Sequence, residues 1–179
     1  MKTLVVILDN IRSTYNVGAI FRTCEGLGVN KVILTGYTPF YDKGLPHEQD
    51  KLRKQIHKTA LGAEDIVSWQ RIDSLDDAIA ACRAEHLQIV ALEQGDNSLN
   101  LAEPQSFNND IALILGEEVH GIRPEILQQC DQLLEIPMCG QKESFNVSIA
   151  GAIAIWELRK SSLNGKTAHL RRQISRPQS

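Results

Sequence analysis

Apolar and polar positions along this chain follow two periods in turn. Short runs rich in Val, Ile and Leu recur at 3–9 (TLVVILD), 31–36 (KVILTG), 66–69 (IVSW), 87–93 (LQIVALE), 111–116 (IALILG) and 133–138 (LLEIPM). Most are continuous rather than in-and-out, the pattern of strands covered on both faces of a parallel sheet. Between them the period lengthens. NVGAIFRTCEGLG spaces Val17, Ile20, Phe21, Cys24 and Leu27 by three or four, with Gly28 as a stop. Ser74 and Asp77 form a capping-box-like start for a second helix, and Pro124 suits the first position of a third. The last helix is expected from about Ser144 to about Leu163, and its VSIAGAIAIW stretch is apolar nearly all round. Strands separated by helices predict an α/β fold, a mainly parallel sheet flanked by helices. Tyr37 to Asp50, broken by Pro39, Gly44 and Pro46, reads as a long loop, functional or mobile.

Composition sharpens this only in places. With 179 residues, 42% hydrophobic and 23% charged, the chain predicts one globular domain. No apolar run approaches the ~20 residues of a membrane span. MKTLVVILDN reads as a first strand, not as a secretory signal. Cys24, Cys82, Cys130 and Cys139 form no CxxC pair, which predicts a reducing cytoplasm and no metal. The net charge of -3 conceals an asymmetry: residues 158–179 hold six of the 19 Lys and Arg, among them Arg159, Arg171 and Arg172, and no acid. A domain over 1–160 with a basic tail over 161–179 follows. Lys51, Arg53, Lys54 and Lys58 form a second cluster. Either cluster is a polyanion contact or a solvated face.

Three loops carry candidate chemistry. In the first, DNIRSTYNVGAIFR, a strand gives way to a helix near Asn16, with Arg22 six residues on. Asn16 and Arg22 suit phosphate or ribose contacts, or else a helix cap and a surface ion pair. The second, LILGEEVHGIRPE, follows a buried-type strand, so it lies where open α/β sheets bind ligands. Gly116 and Gly121 let a ligand approach the backbone, and Glu117 and Glu118 suit a cationic or hydroxyl-rich ligand better than a phosphate. His120 lacks a partner at metal-ligand spacing. In the third, IPMCGQKESFNVS, Ser144 or Asn146 is either the cap of the last helix or part of a site, and no GxSxG elbow supports a nucleophilic serine. Burial of that helix on more than one side predicts a subunit interface.

Taken together and in order, these loops resemble the three motifs of the SPOUT superfamily, specifically its SpoU (TrmH-like) 2'-O-ribose RNA methyltransferases. The residues that carry the likeness are Asn16 with Phe21-Arg22-Thr23-Cys24, Leu115-Gly116-Glu117-Glu118 with Gly121, and Ile136-Pro137-Met138 with Ser144-Phe145-Asn146-Val147-Ser148. KTALGAED (58–65) is similar to the family's middle segment. The resemblance covers roughly residues 3–160 and implies a C-terminal trefoil knot, a homodimer with the last helix at its interface, and S-adenosylmethionine as cofactor. It implies cofactor contacts from Leu92, Glu93, Gly116, Glu117, Gly121, Ile136, Met138, Ser144 and Asn146. It implies catalytic roles for Asn16, Arg22, Glu118, Ser144 and Asn146. Phe145 stands where many members carry Leu.

The implied substrate is a ribose in structured RNA. The minimal architecture, without an expected flanking RNA-binding domain, favours tRNA by analogy, with rRNA as the alternative. Arg12, Lys51, Arg53, Lys54, Arg171 and Arg172 are the expected RNA contacts. Arg22 is expected to bind a phosphate rather than act as base, since a guanidinium stays protonated. A non-catalytic RNA-binding module on the same scaffold is the rival reading, and the retained polar set argues against it. Methylation of a base nitrogen is disfavoured because residues 141–146 offer only Glu143 as an acid. A dinucleotide-binding oxidoreductase fails for want of a GxGxxG loop.

Overall fold

A computed structural model of the chain describes residues 2–41, 47–107 and 109–174, the side chains of 47–49 and 161–174 excepted. Seven parallel strands form one sheet: β1 (Leu4–Asp9), β2 (Lys31–Thr35), β3 (Trp69–Arg71), β4 (Gln88–Leu92), β5 (Leu99–Asn100), β6 (Ile111–Leu115) and β7 (Gln132–Glu135). Their order across the sheet is β3-β2-β1-β6-β4-β7-β5. The helices are α1 (Thr14–Gly26), α2 (His47–Ala60), α3 (Ala63–Ile66), α4 (Leu75–Ala84), α5 (Pro124–Leu127) and α6 (Val147–Ile174).

The continuous apolar runs have the expected cause. Leu4, Val6 and Leu8 of β1 belong to one core with α1, α2 and α6, whereas Val5 and Ile7 belong to a second core with α4 and α5. Each apolar β1 side chain therefore has an apolar layer to enter, whichever way it points. The α1 stripe of Val17, Ile20, Phe21 and Cys24 is fully buried. Ser74 Oγ accepts from the Asp77 amide at 3.1 Å and opens α4 as its pattern predicts.

Several boundaries differ from expectation, each for a local reason. Ile66 belongs to the one-turn helix α3, and the strand expected at 66–69 starts only at Trp69. The buried Glu64 carboxylate imposes this by accepting from the Gly62 amide at 2.9 Å and pairing with His57 at 2.7 Å. β7 ends at Glu135, ahead of Pro137, which has no amide hydrogen to donate. Of the loop expected over Tyr37–Asp50, residues 42–46 lie outside the described residues, and from His47 the chain is α2, which buries Ile56 and Ala60 and exposes Lys51, Arg53, Lys54 and Lys58. α6 begins at Val147 instead of near Ser144 and runs past the expected end near Leu163 to Ile174.

Arg159 corrects the reading of a basic arm. It is 1% exposed, and its guanidinium donates to Lys2 O at 2.5 Å, Gly28 O at 2.7 Å and Asn30 Oδ1 at 2.9 Å. It ties α6 to the start of β1 and the end of α1. Among the described residues, no helix is long and apolar enough to cross a membrane.

Candidate active site

All strands run the same way, so the loops after β1, β4, β6 and β7 emerge at one edge of the sheet. A cleft of about 430 Å³ opens there. It is walled by the end of β4 and the residues after it (Leu92, Glu93 and Gln94), by residues 116–122 after β6, by the end of β7 and the residues after it (Glu135, Ile136 and Met138), and by Ser144, Phe145, Val147 and Ala150 at the mouth of α6. That size lies within the roughly 300–1,000 Å³ of small-molecule sites. Of the expected cofactor contacts, Leu92, Glu93, Gly116, Glu117, Gly121, Ile136, Met138 and Ser144 line the cleft; Asn146 is not among its lining residues. Gln94, Glu135 and Ala150 also line it and carry no motif of their own. Their only signal in the sequence was adjacency to strand ends or, for Ala150, small size on an apolar helix.

The glycine loop has a structural logic that spacing alone did not reveal. Gly121 has φ +67, and a Cβ there would overlap Glu93 Oε2. That same carboxylate accepts from the Ile122 amide at 3.1 Å through Oε2 and from the Gln94 amide at 3.1 Å through Oε1. Gly116 lies against Ile122 Cγ1 and the Gly121 backbone, leaving no room for a side chain. The two glycines thus let the loop fold onto Glu93, and the cleft wall is the consequence.

Beside the cleft, residues from all three loops form one polar chain. Asn146 Oδ1 accepts from the Ser148 amide at 3.0 Å and its hydroxyl at 2.6 Å. This fixes the orientation of the Asn146 amide, whose Nδ2 donates to Asn16 Oδ1 at 3.2 Å. Asn16 Nδ2 in turn donates to Glu118 Oε1 at 2.8 Å, and the Arg12 amide donates to Glu118 Oε2 at 3.4 Å. Asn146 caps α6, while Ser144 lies in the loop before it. Asn16 is not the cap of α1: Ser13 Oγ takes that role, accepting from the Asn16 amide at 3.3 Å, and the Asn16 side chain is left for the chain to Glu118.

The lining is acidic, with Glu93, Glu117, Glu118 and Glu135, and is otherwise largely apolar. His120 Nδ1 lies 3.2 Å from Glu117 Oε1. Desolvation and the facing Glu117 carboxylate push the Tyr37 phenol above its ordinary value. Such a cleft fits a cationic, hydroxyl-bearing ligand with an apolar ring, the chemistry expected of S-adenosylmethionine.

Other expected residues lie apart. Six residues on from Asn16, Arg22 is roughly 9 Å further along α1 and about 240° round it. It is exposed and has no hydrogen bond or ion pair among the described residues. Arg12 is likewise exposed. Arg53 lies 5.4 Å over the Tyr41 ring and 3.6 Å from Asp65, so its head is partly engaged, while Lys51 and Lys54 face outward. Arg171 and Arg172 have side chains outside the described residues. Among the described residues, no group of three His, Cys, Asp or Glu is placed to hold a metal.

Known proteins resemble this chain along most of its length. The tRNA (guanosine(18)-2'-O)-methyltransferase of Aquifex aeolicus is 30% identical over 159 residues, which is 89% of this chain and 70% of that protein. The 23S rRNA (guanosine-2'-O-)-methyltransferase RlmB of Acinetobacter baylyi is 28% identical over 90% of this chain and 61% of its own. Among solved structures, the AdoMet-bound rRNA methyltransferase from Sinorhizobium meliloti superposes with a TM-score of 0.76 at 26% identity, over 89% of this chain and 56% of that one. The chain thus spans between 56% and 70% of the length of these three proteins. The model of the SpoU rRNA Methylase family matches residues 3–156, and the chain belongs to that family.

Proposed function

We propose that the protein transfers a methyl group from S-adenosylmethionine to a ribose 2'-oxygen in structured RNA, with tRNA favoured and rRNA as the alternative. The observation that carries this reading is the chain Asn146–Asn16–Glu118 at the rim of an acidic cleft of about 430 Å³. When bound, the cofactor supplies an electrophilic methyl on a sulfonium, open to in-line attack. Glu93 and the glycine loop shape its pocket, Glu117 and Glu135 offset its positive charge, and Leu92, Ile136 and Val147 cover its apolar part. Ser144 and the Asn16–Asn146 pair orient the ribose hydroxyl, and Glu118 holds Asn16 in place. Fixing both reactants accounts for much of the acceleration.

Arg22, exposed and without a hydrogen bond or ion pair among the described residues, binds an RNA phosphate and so sets where the ribose comes to rest. Lys51, Arg53 and Lys54 on α2, with Arg12, extend the grip on the backbone, as Arg171 and Arg172 do on α6. The trefoil knot belongs to this reading, supported by family membership and by a strand order that sets β4 between β6 and β7. So does a homodimer: Tyr15, Ile149 and Trp156 are about half exposed, on the outer faces of α1 and α6. A cytoplasmic location fits the RNA substrate.

Replacing Arg22 by Ala tests the assignment. Methyl transfer to RNA should fall at least about 100-fold, the scale of a misplaced reactant, while the cofactor Kd stays within about twofold. Undiminished turnover contradicts the role.

A further inference from the structure

The turn after β2, residues 36–38, is braced far more heavily than a surface turn requires. The Arg71 guanidinium donates to Gly36 O at 2.5 Å and Thr38 O at 2.9 Å, across from β3. The Gly36 amide donates to Asp73 O at 3.2 Å, and the Tyr37 amide donates to Asn10 Oδ1 at 3.1 Å. Thr38 Oγ1 donates to Leu8 O at 2.9 Å and accepts from the Ile11 amide at 3.1 Å. Two residues here hold left-handed backbones, Asn10 at φ 56 and Gly36 at φ 58, and a Cβ on Gly36 would overlap Asn10 Oδ1. Backbone strain held by surrounding bonds concentrates at functional sites.

What this frame presents is one aromatic ring. Tyr37 is 52% exposed, although its backbone is fixed on both sides. Its hydroxyl faces Glu117 of the cleft loop, and the Arg12 charge lies close by. The ring is thus near two carboxylates of the cleft loop, Glu117 and Glu118, and near the exposed Arg12, whose guanidinium has no hydrogen bond or ion pair among the described residues and suits a backbone phosphate. A target nucleotide whose ribose reaches the polar chain must place its base somewhere outside the cleft. A pre-ordered tyrosine offers stacking area with little side-chain entropy to lose, and base–aromatic stacking tolerates any base.

We propose that Tyr37 is a positioning residue for this reaction, the platform on which the base of the target nucleotide, or its immediate neighbour, stacks. The inference rests on the RNA-methyltransferase reading above. It adds a residue that the motif loops do not contain.

The test uses the full chain with tRNA and rRNA fragments, after mass spectrometry has located the ribose that the wild type methylates. Tyr37→Ala should raise the RNA KM about tenfold, in keeping with loss of one stacked base, with kcat and cofactor Kd changed less than about twofold. Tyr37→Phe should restore KM to within about twofold, because the ring and not the hydroxyl does the stacking. RNA abasic at the target or the adjacent nucleotide should weaken the wild type by a similar factor and Tyr37→Ala hardly at all. An active wild type with an unchanged KM in Tyr37→Ala, or a Phe variant as impaired as Ala, overturns the platform alone. A wild type that methylates no ribose overturns the functional reading instead. RNA affinity by gel shift then still decides: binding by Tyr37→Ala within about twofold of wild type overturns the platform too.

Discussion

Asn16 is half-buried, and its side-chain amide is held from both sides, by Asn146 Nδ2 and Glu118 Oε1. Because it is not among the residues lining the cleft, its loss should separate chemistry from cofactor binding. Asn16→Ala is expected to cut methyl transfer about 100-fold, since reactant placement is worth that much, and to leave the cofactor Kd within about twofold in titration calorimetry. Gly121 makes the opposite case. Its φ of +67 and the overlap of any Cβ with Glu93 Oε2 make Gly121→Ala strained by roughly 1–3 kcal/mol. The strain falls on the cleft wall, so denaturant unfolding should show the stability loss and calorimetry a cofactor affinity down more than about tenfold. A fully stable, tightly binding variant contradicts the account of the loop.

At the scale of elements, α6 has two jobs that its sequence ran together. Ala154, Ile155 and Leu158 are buried, Ile149 and Trp156 are about half exposed, and Arg159 is locked inside. Burial lowers the Arg159 pKa, and its Nε has no partner among the described residues, so this cation is held at a cost that three oxygen acceptors offset. Arg159→Leu leaves those acceptors unmet and should cost roughly 2–4 kcal/mol in urea unfolding. RNA affinity of the folded fraction should not change; a stable variant with weakened RNA binding would restore Arg159 to a basic arm. Charge counting alone could not have told Arg159 from Lys160, because burial is a property of the packed helix. Strand runs and the α1 stripe were legible because burial on both faces leaves an unmistakable apolar record. Asn16 and Asn146 were legible as residues of interest, but which of them capped a helix was not. That depended on Ser13 and Ser148, whose role only the bond geometry reveals. α3 and the two-residue β5 left no periodic trace, since their lengths fall below either repeat.

The whole molecule places its chemistry where sheet topology dictates. β1 connects outward to β2 and β3, while β6 sits on its other side, so loops leave in opposite directions between β1 and β6. That switch point opens the crevice in which α/β sheets bind ligands, and the β1 and β6 loops there supply Asn16 and Glu118. The cleft, the polar chain and Tyr37 all lie along one edge, which is why a cofactor from one side and a ribose from the other can meet. The central claim is the identity of the methylated atom. Incubating the protein with isotopically labelled S-adenosylmethionine and tRNA or rRNA, then digesting to nucleosides for mass spectrometry, reads it directly. The account predicts the label in a 2'-O-methylated nucleoside; label on a base, or none in RNA under conditions where the cofactor binds, contradicts it.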